Sequence, residues 1–169
     1  MERDSGTPRL FAYPHAVHVR RHGPIGYLDY ADYKPWLRDE FHFRCVYCLC
    51  RERWFPDGDE AFSVDHIQPQ SAVPGLVCDY DNLVYACCHC NSFKGPNIAG
   101  FDPETGELCP LYHPRRDRWN RHFRWGGSLL VGLTAVGRTT VAVLNLNDPV
   151  HVAKRQSLIA EGVFPPHLS

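Results

Sequence analysis

Two Cys-x-x-Cys pairs, Cys45–Cys48 and Cys87–Cys90, frame a short list of polar residues: Asp65, His66, Asn82 and Asn91. Thiolates are soft donors. Four of them in this spacing select zinc over magnesium or calcium. A closed four-thiolate site leaves no open coordination position, so this zinc reads as structural. The competing reading is a set of buried or redox-active thiols, and the paired spacing speaks against it. Cys50 and Cys88 are nearby competitors for the metal whose spacing fits less well, and Cys78 and Cys109 read as ordinary thiols. Inside the frame, Asp65 is a hard oxygen donor suited to a magnesium-like ion. On a strand, its neighbour His66 points to the opposite face. One of the two can hold a metal while the other reaches an attacking water only where the strand ends, and Gln68–Pro69 supplies an ending. Alone, an Asp-His dipeptide carries no information; inside a thiolate frame it does.

The elements that must position these residues follow from local pattern. Tyr33, Trp36, Leu37 and Phe41 recur at helical spacing, which predicts a helix over 32–41 with Asp32 as its cap and Pro35 in its first turn. Residues 44–50 form a tight knuckle, and Pro56-Asp57-Gly58 turns a charged loop. Residues 62–67 read as a strand ending at the Asp-His pair. Residues 82–90 pass from a second strand or turn into the other knuckle, and a short helix begins at Asn91 and breaks at Gly95-Pro96. Farther on, 102–107 is turn chemistry. Strands are expected over 108–112 and 128–133, and helices over 134–144 and 148–159, the last opened by Asp148-Pro149. Residues 1–26 read as an irregular arm, with a small basic cluster at Arg20-Arg21-His22.

The chain has 169 residues, 44% hydrophobic and 22% charged, which suits one globular domain better than two. Its 14 prolines and 13 glycines imply many loops. The formal net charge of −1 excludes a global basic field, so any nucleic-acid binding must rest on local patches. No signal-peptide core opens the chain, and the longest apolar stretch, 129–146, is interrupted too often to span a membrane. A cytoplasmic setting is expected, where eight cysteines favour metal ligation over disulfides.

The stretch from Cys45 to Lys94 resembles the HNH endonuclease family, the His-metal-finger or ββα-metal nucleases. Cys45 and Cys48, Asp65-His66-Ile67-Gln68-Pro69-Gln70-Ser71, Asn82-Leu83, Cys87, Cys90, Asn91 and Lys94 fall in the order and spacing of the family pattern. The third letter of the family name, often His, is Asn91 here; an amide oxygen there argues for an oxygen-loving ion. The resemblance implies that His66 is a general base, a task that suits an imidazole because it titrates near neutrality. It implies that Asp65 and Asn91 hold a catalytic divalent ion, Mg2+ or Mn2+, that Asn82 braces the loop bearing His66, and that Lys94 contacts a phosphate near the cut. His89 falls outside the family register and is expected to face solvent or DNA.

A second candidate surface is arginine-rich. Arg115, Arg116, Arg118, Arg121 and Arg124 alternate with Trp119, Phe123 and Trp125. Two readings stay open: a phosphate-binding patch, or a structural segment whose aromatics are core and whose guanidiniums pair with local acids.

The expected fold is α+β: an arm and helix over 1–43, a zinc-stapled ββα-metal core over 44–97, and an α/β C-terminal extension over 98–169 packed on the core. The expected function is metal-dependent phosphodiester hydrolysis by an HNH endonuclease, on DNA ahead of RNA, with no membrane partner and with a homodimer or partner protein allowed. The rival is a non-catalytic zinc-stabilised module that binds nucleic acid or protein.

Overall fold

The structure is a computed structural model that describes residues 29–166. The irregular arm expected over 1–26, with Arg20-Arg21-His22, lies outside the described residues. The first element is a 3-10 turn, Tyr30–Tyr33, running into helix α1, Lys34–Glu40. Asp29, not Asp32, is the cap. Its carboxylate accepts from Ala31 N at 3.0 Å, and Asp32 reaches back to Asp29 N, a capping box. The extra turn explains the difference, because it moves the entry three residues upstream. Tyr33, Leu37 and Phe41 are buried as the aromatic-aliphatic stripe predicts.

The centre of the fold is a pair of antiparallel strands followed by a helix. Strand β1, Phe62–His66, pairs with β2, Leu83–Cys87, in the register Phe62↔Cys87 through His66↔Leu83. Every residue of β2 is buried, which its run of Leu-Val-Tyr-Ala-Cys allows. The Phe62 and Tyr85 rings stack with centroids 5.0 Å apart. Helix α2, Cys88–Lys94, follows directly and ends at Gly95, where φ is +49°. It begins three residues before Asn91, so the second knuckle is itself the first turn of the helix.

The extension adds two more antiparallel pairs: β3, Ala99–Phe101, with β4, Leu108–Pro110, and β5, Phe123–Gly126, with β6, Leu129–Gly132. Helix α3, Trp119–His122, precedes β5; α4, Ala135–Val143, and α5, Pro149–Ala160, close the chain. Thr134 and Asp148 cap α4 and α5. Helix α4 seats against the β5–β6 pair through Gly137. A Cβ there would run into the His122 carbonyl, so only glycine lets the backbones approach this closely.

The extension is tied to the core by polar contacts of long sequence reach. Trp119, 1% exposed, donates from Nε1 to the Tyr47 carbonyl at 2.9 Å. Arg115 forks onto Glu40 at 3.0 and 3.1 Å and also donates to the Leu83 carbonyl at 2.7 and 3.0 Å. Among the described residues no helix is long and apolar enough to cross a membrane.

Candidate active site and zinc frame

The β1–β2 hairpin carries different chemistry at its two ends. At the Phe62↔Cys87 end, the sulfurs of Cys45, Cys48, Cys87 and Cys90 are buried and all lie within 4.8 Å of one another. Cys48 and Cys87 Sγ are 3.7 Å apart. Tetrahedral zinc with bonds of about 2.3 Å places its sulfurs roughly 3.8 Å apart, so the set fits that ion. The first knuckle is held by Cys45 N donating to Cys50 O at 2.9 Å and Leu49 N donating to Cys45 O at 3.0 Å. Leu49 takes a left-handed φ of +56° to make the turn. Thiols this crowded compete for charge. Hydrogen bonds from Cys45 and the other thiols hold Cys48 well below the ordinary thiol range. The hydrogen bond to Cys45 pushes Cys87 up, and burial pushes Cys90 up. A doubly charged ion lets all four ionise.

The other four cysteines stand outside this group. Cys50 is buried beside it, Cys78 and Cys88 are exposed, and Cys109 is half-buried. Four thiolates around a doubly charged ion leave net negative charge. Helix α5 brings Lys154 and Arg155 toward it, and both act electrostatically on the knuckle cysteines. Arg155 is 1% exposed; its terminal nitrogens donate to the Leu146 and Ser128 carbonyls and to Asn147, while its Nε is buried without a partner. Nothing in the local sequence around Cys50 announces these two cations.

At the His66↔Leu83 end the hairpin opens into a cleft of about 360 Å³ lined by Asp65, His66, Asn91, Gln70 and Tyr30 among others. Strand β1 stops at His66, so Asp65 and His66 reach the same cleft although they are sequence neighbours. His66 Nε2 donates to the Val77 carbonyl at 2.9 Å, which leaves Nδ1 as the lone-pair nitrogen. Gln70 Nε2 lies 3.2 Å from that Nδ1, and Tyr30 packs edge-on at 4.6 Å. Asn82 clamps the loop between His66 and Val77. Its Oδ1 accepts from Gln68 N at 2.8 Å, and its Nδ2 donates to the Gln68 and Leu76 carbonyls, both at 3.1 Å.

Asp65 is 3% exposed. Its Oδ2 accepts from the Tyr47 hydroxyl at 2.6 Å and its Oδ1 from Lys94 Nζ at 3.2 Å. Burial pushes its carboxyl above the usual range, against the pull of Lys94 and Tyr47. Asn91 donates from Nδ2 to Ser63 Oγ at 2.8 Å, which turns that amide nitrogen away and leaves the amide oxygen for the cleft. One carboxylate with lone pairs to spare and one free amide oxygen fit a hard divalent ion that keeps most of its own water.

Three sequence expectations change here. Lys94 does not face a phosphate: it is 3% exposed and its ammonium is shared among Asp65, the His66 carbonyl at 2.6 Å and the Gly95 carbonyl. The helix that carries Asn91 begins early, and that turns Lys94 inward beneath β1. His89 does not face solvent freely either. It is half-buried, with Nε2 3.2 Å from the Asn145 carbonyl and its ring 3.8 Å from that of His151. The arginine-rich segment splits between its two readings. Arg115 is structural, while Arg116, Arg118, Arg121 and Arg124 are exposed, and Trp119 and Phe123 between them are core.

Tyr47 is the site residue that pattern reading misses. It sits inside the first Cys-x-x-Cys pair, and its hydroxyl connects that knuckle to Asp65. A buried tyrosine needs a partner for its hydroxyl, but the partner lies 18 residues away and is invisible to local pattern.

Residues 45–97 match the family model for the HNH endonuclease. Over 105 residues the chain is 32% identical to the Septu protein PtuB of Bacillus thuringiensis, an alignment that covers 62% of this chain and 37% of that relative. The chain therefore matches little more than a third of the relative's length. No solved structure matches the chain. With the family match, the strand pair, the following helix and the four-cysteine cluster identify residues 45–97 as an HNH domain of the zinc-stapled ββα type.

Proposed function

We propose that the chain is a metal-dependent endonuclease that hydrolyses phosphodiester bonds, in DNA ahead of RNA. The observation that carries this reading is the fixed tautomer of His66. With Nε2–H committed to the Val77 carbonyl, Nδ1 is the basic nitrogen in a cleft that also holds Asp65 and the Asn91 amide oxygen. His66 Nδ1 takes the proton of the attacking water. Asn82 acts through the loop, holding the Val77 side of it at the distance that keeps the ring oriented. Tyr47 and Lys94 hold the Asp65 carboxylate in place from the side away from the cleft. Asp65 and Asn91 would hold the divalent ion, which when bound supplies positive charge against the phosphate and the leaving oxygen. The exposed Arg116, Arg118, Arg121 and Arg124 supply phosphate contacts that are not sequence-selective. The same reading divides the chain into an arm and helix to residue 43, the nuclease core over 44–97, and an extension over 98–169 that supports it. One such site cuts one strand, so double-strand cutting calls for a second copy or a partner protein.

The test is incubation of the pure protein with plasmid and Mg2+ or Mn2+, with and without chelator, beside His66→Ala. Cleavage that needs the ion and His66 supports the reading. Equal cutting by His66→Ala in a clean preparation sinks it.

A zinc-stabilised binding module without turnover is the second reading, and one observation favours it. The Lys94 ammonium already lies on the Asp65 carboxylate at 3.2 Å, where it competes with any ion. Replacing Lys94 with Met separates the two readings. If the lysine blocks the site, the variant gains divalent-ion affinity and activity; if it orients the carboxylate, both fall.

A further inference from the structure

The first knuckle is closed by an isolated antiparallel bridge that sets Arg44 directly opposite Arg51. Residues opposed in this way send their side chains to the same face, where like charges repel. The backbone gives the pair no freedom to part. Cys45 N donates to Cys50 O at 2.9 Å on one side of the bridge, and Glu52 N donates to Phe43 O at 3.0 Å on the other. Arg44 is 8% exposed and its Nε is buried with no hydrogen-bond partner. Arg51 is half-buried.

Among the described residues no carboxylate is recorded in an ion pair or hydrogen bond with these two cations. Glu52 follows Arg51 in sequence but is taken by Arg38, which forks onto it at 2.6 and 2.8 Å, and by the Tyr85 hydroxyl. Glu40 is held by Arg115. The charges that do act on the pair have its own sign: Arg51 on Arg44, and Arg53 on Arg51. A half-sequestered cation pair with no carboxylate partner among the described residues, and with the Arg44 Nε unpaired, is unfavourable even beside the net negative charge of the thiolate cluster. It is what a site looks like when an external anion completes it. Neither arginine lines the His66 cleft, so this anion is not the scissile group.

We propose that Arg44 and Arg51 form a phosphate seat for the nucleic-acid backbone beside the zinc knuckle, separate from the catalytic cleft. Two adjacent guanidiniums present two donor forks, which a tetrahedral phosphate with several oxygens can engage together. The choice of a nucleic-acid phosphate rests on the nuclease reading above.

The test measures binding of a labelled DNA duplex at several salt concentrations in the His66→Ala background, so that nothing is cut. Arg51→Gln is expected to weaken binding about tenfold and to lower the log–log salt slope by about one, with an unchanged or higher Tm. Arg51→Lys keeps the slope but loses affinity, because an ammonium lacks the fork. Arg44→Met is expected to raise the Tm while weakening binding. Wild-type affinity and slope in folded Arg51→Gln overturns the seat, as does a lower Tm in Arg44→Met. Competition by polyglutamate equal to that by polyphosphate, charge for charge, overturns the phosphate assignment in favour of an acidic protein surface. A protein that cuts plasmid through His66 but ignores Arg51→Gln keeps the nuclease reading and loses the seat. If His66→Ala cuts like wild type, the nuclease reading falls, and the seat stands or falls on these binding curves alone.

Discussion

The two ends of the β1–β2 hairpin are four residue steps apart in register, roughly 14 Å at the usual rise, yet they are built on opposite principles. The thiolate end is dry and answers its own needs: four buried sulfurs, a helix start and cations from α5. The cleft end is open and depends on distant segments. Val77 orients His66, Asn82 clamps the loop, and Arg115 of the extension grips the Leu83 carbonyl opposite His66. Stability is concentrated at one end and adjustable polar geometry at the other. That separation predicts that His66 can be replaced with little effect on the fold.

The comparison breaks first under Cys87→Ser. Loss of one thiolate from a closed site uncouples metal binding from folding. The expected result is loss of the cooperative thermal transition and of bound zinc by elemental analysis, while Cys78→Ser and Cys109→Ser leave both in place. A folded, zinc-loaded Cys87→Ser protein would mean that Cys50 or Cys88 can replace the ligand.

His66→Ala probes the other end. Removal of a general base costs about 10²–10⁴ in rate, measured as plasmid cleavage, and the Tm should move little. A large fall in Tm would show that the two ends are not independent.

Arg115→Ala sharpens the comparison, because Arg115 holds the cleft end from outside the core. Breaking its largely buried pair with Glu40 should cost roughly 3 kcal/mol in a denaturant titration. Exposed Arg118→Ala should cost about 0.5 kcal/mol or less. Equal effects would refute the division of the arginine segment into one structural and four surface residues.

The smallest effect lies in the extension and depends on pH. Arg138 forks onto buried Asp102 at 2.6 and 2.9 Å and holds its carboxyl down at about 2, below the 3.9 or so of an unfolded chain. A carboxyl lowered on folding contributes its stability above the unfolded value and loses it as pH falls through the folded one. The Tm gap between wild type and Asp102→Asn should therefore be constant above pH 5 and close between about pH 4 and 2. A gap that does not change with pH would assign Asp102 to packing alone.

Legibility in the sequence follows the range of the interactions. The zinc ligands are readable because each half of the site is a four-residue unit whose spacing reflects coordination geometry. Strand β1 and helices α4 and α5 are readable from period and caps such as Thr134 and Asp148. Lys94, Tyr47 and Arg115 were not, because their orientation is set by partners 29, 18 and 75 residues away. Strand β5 was hidden for a related reason. Its Phe-Arg-Trp-Gly alternates as a strand should, but the arginines around it resemble a surface patch until the burial of Phe123 is known. Local pattern places Arg44 in the knuckle and Arg51 in the charged loop that follows it; only the bridge brings them face to face.

The reach of the Arg115 and Trp119 contacts has a consequence for how the protein comes into being. Their partners, Glu40 and Tyr47, lie 75 and 72 residues earlier in the chain. During synthesis both knuckles emerge and can take up metal well before Arg115 leaves the ribosome. The grip on the Leu83 carbonyl forms only afterwards, since contacts of long sequence separation close late. His66, opposite that carbonyl, is thus the last part of the hairpin to be secured: in the interval before Arg115 emerges, the four cysteines can close on metal while the other end of the hairpin still lacks its brace.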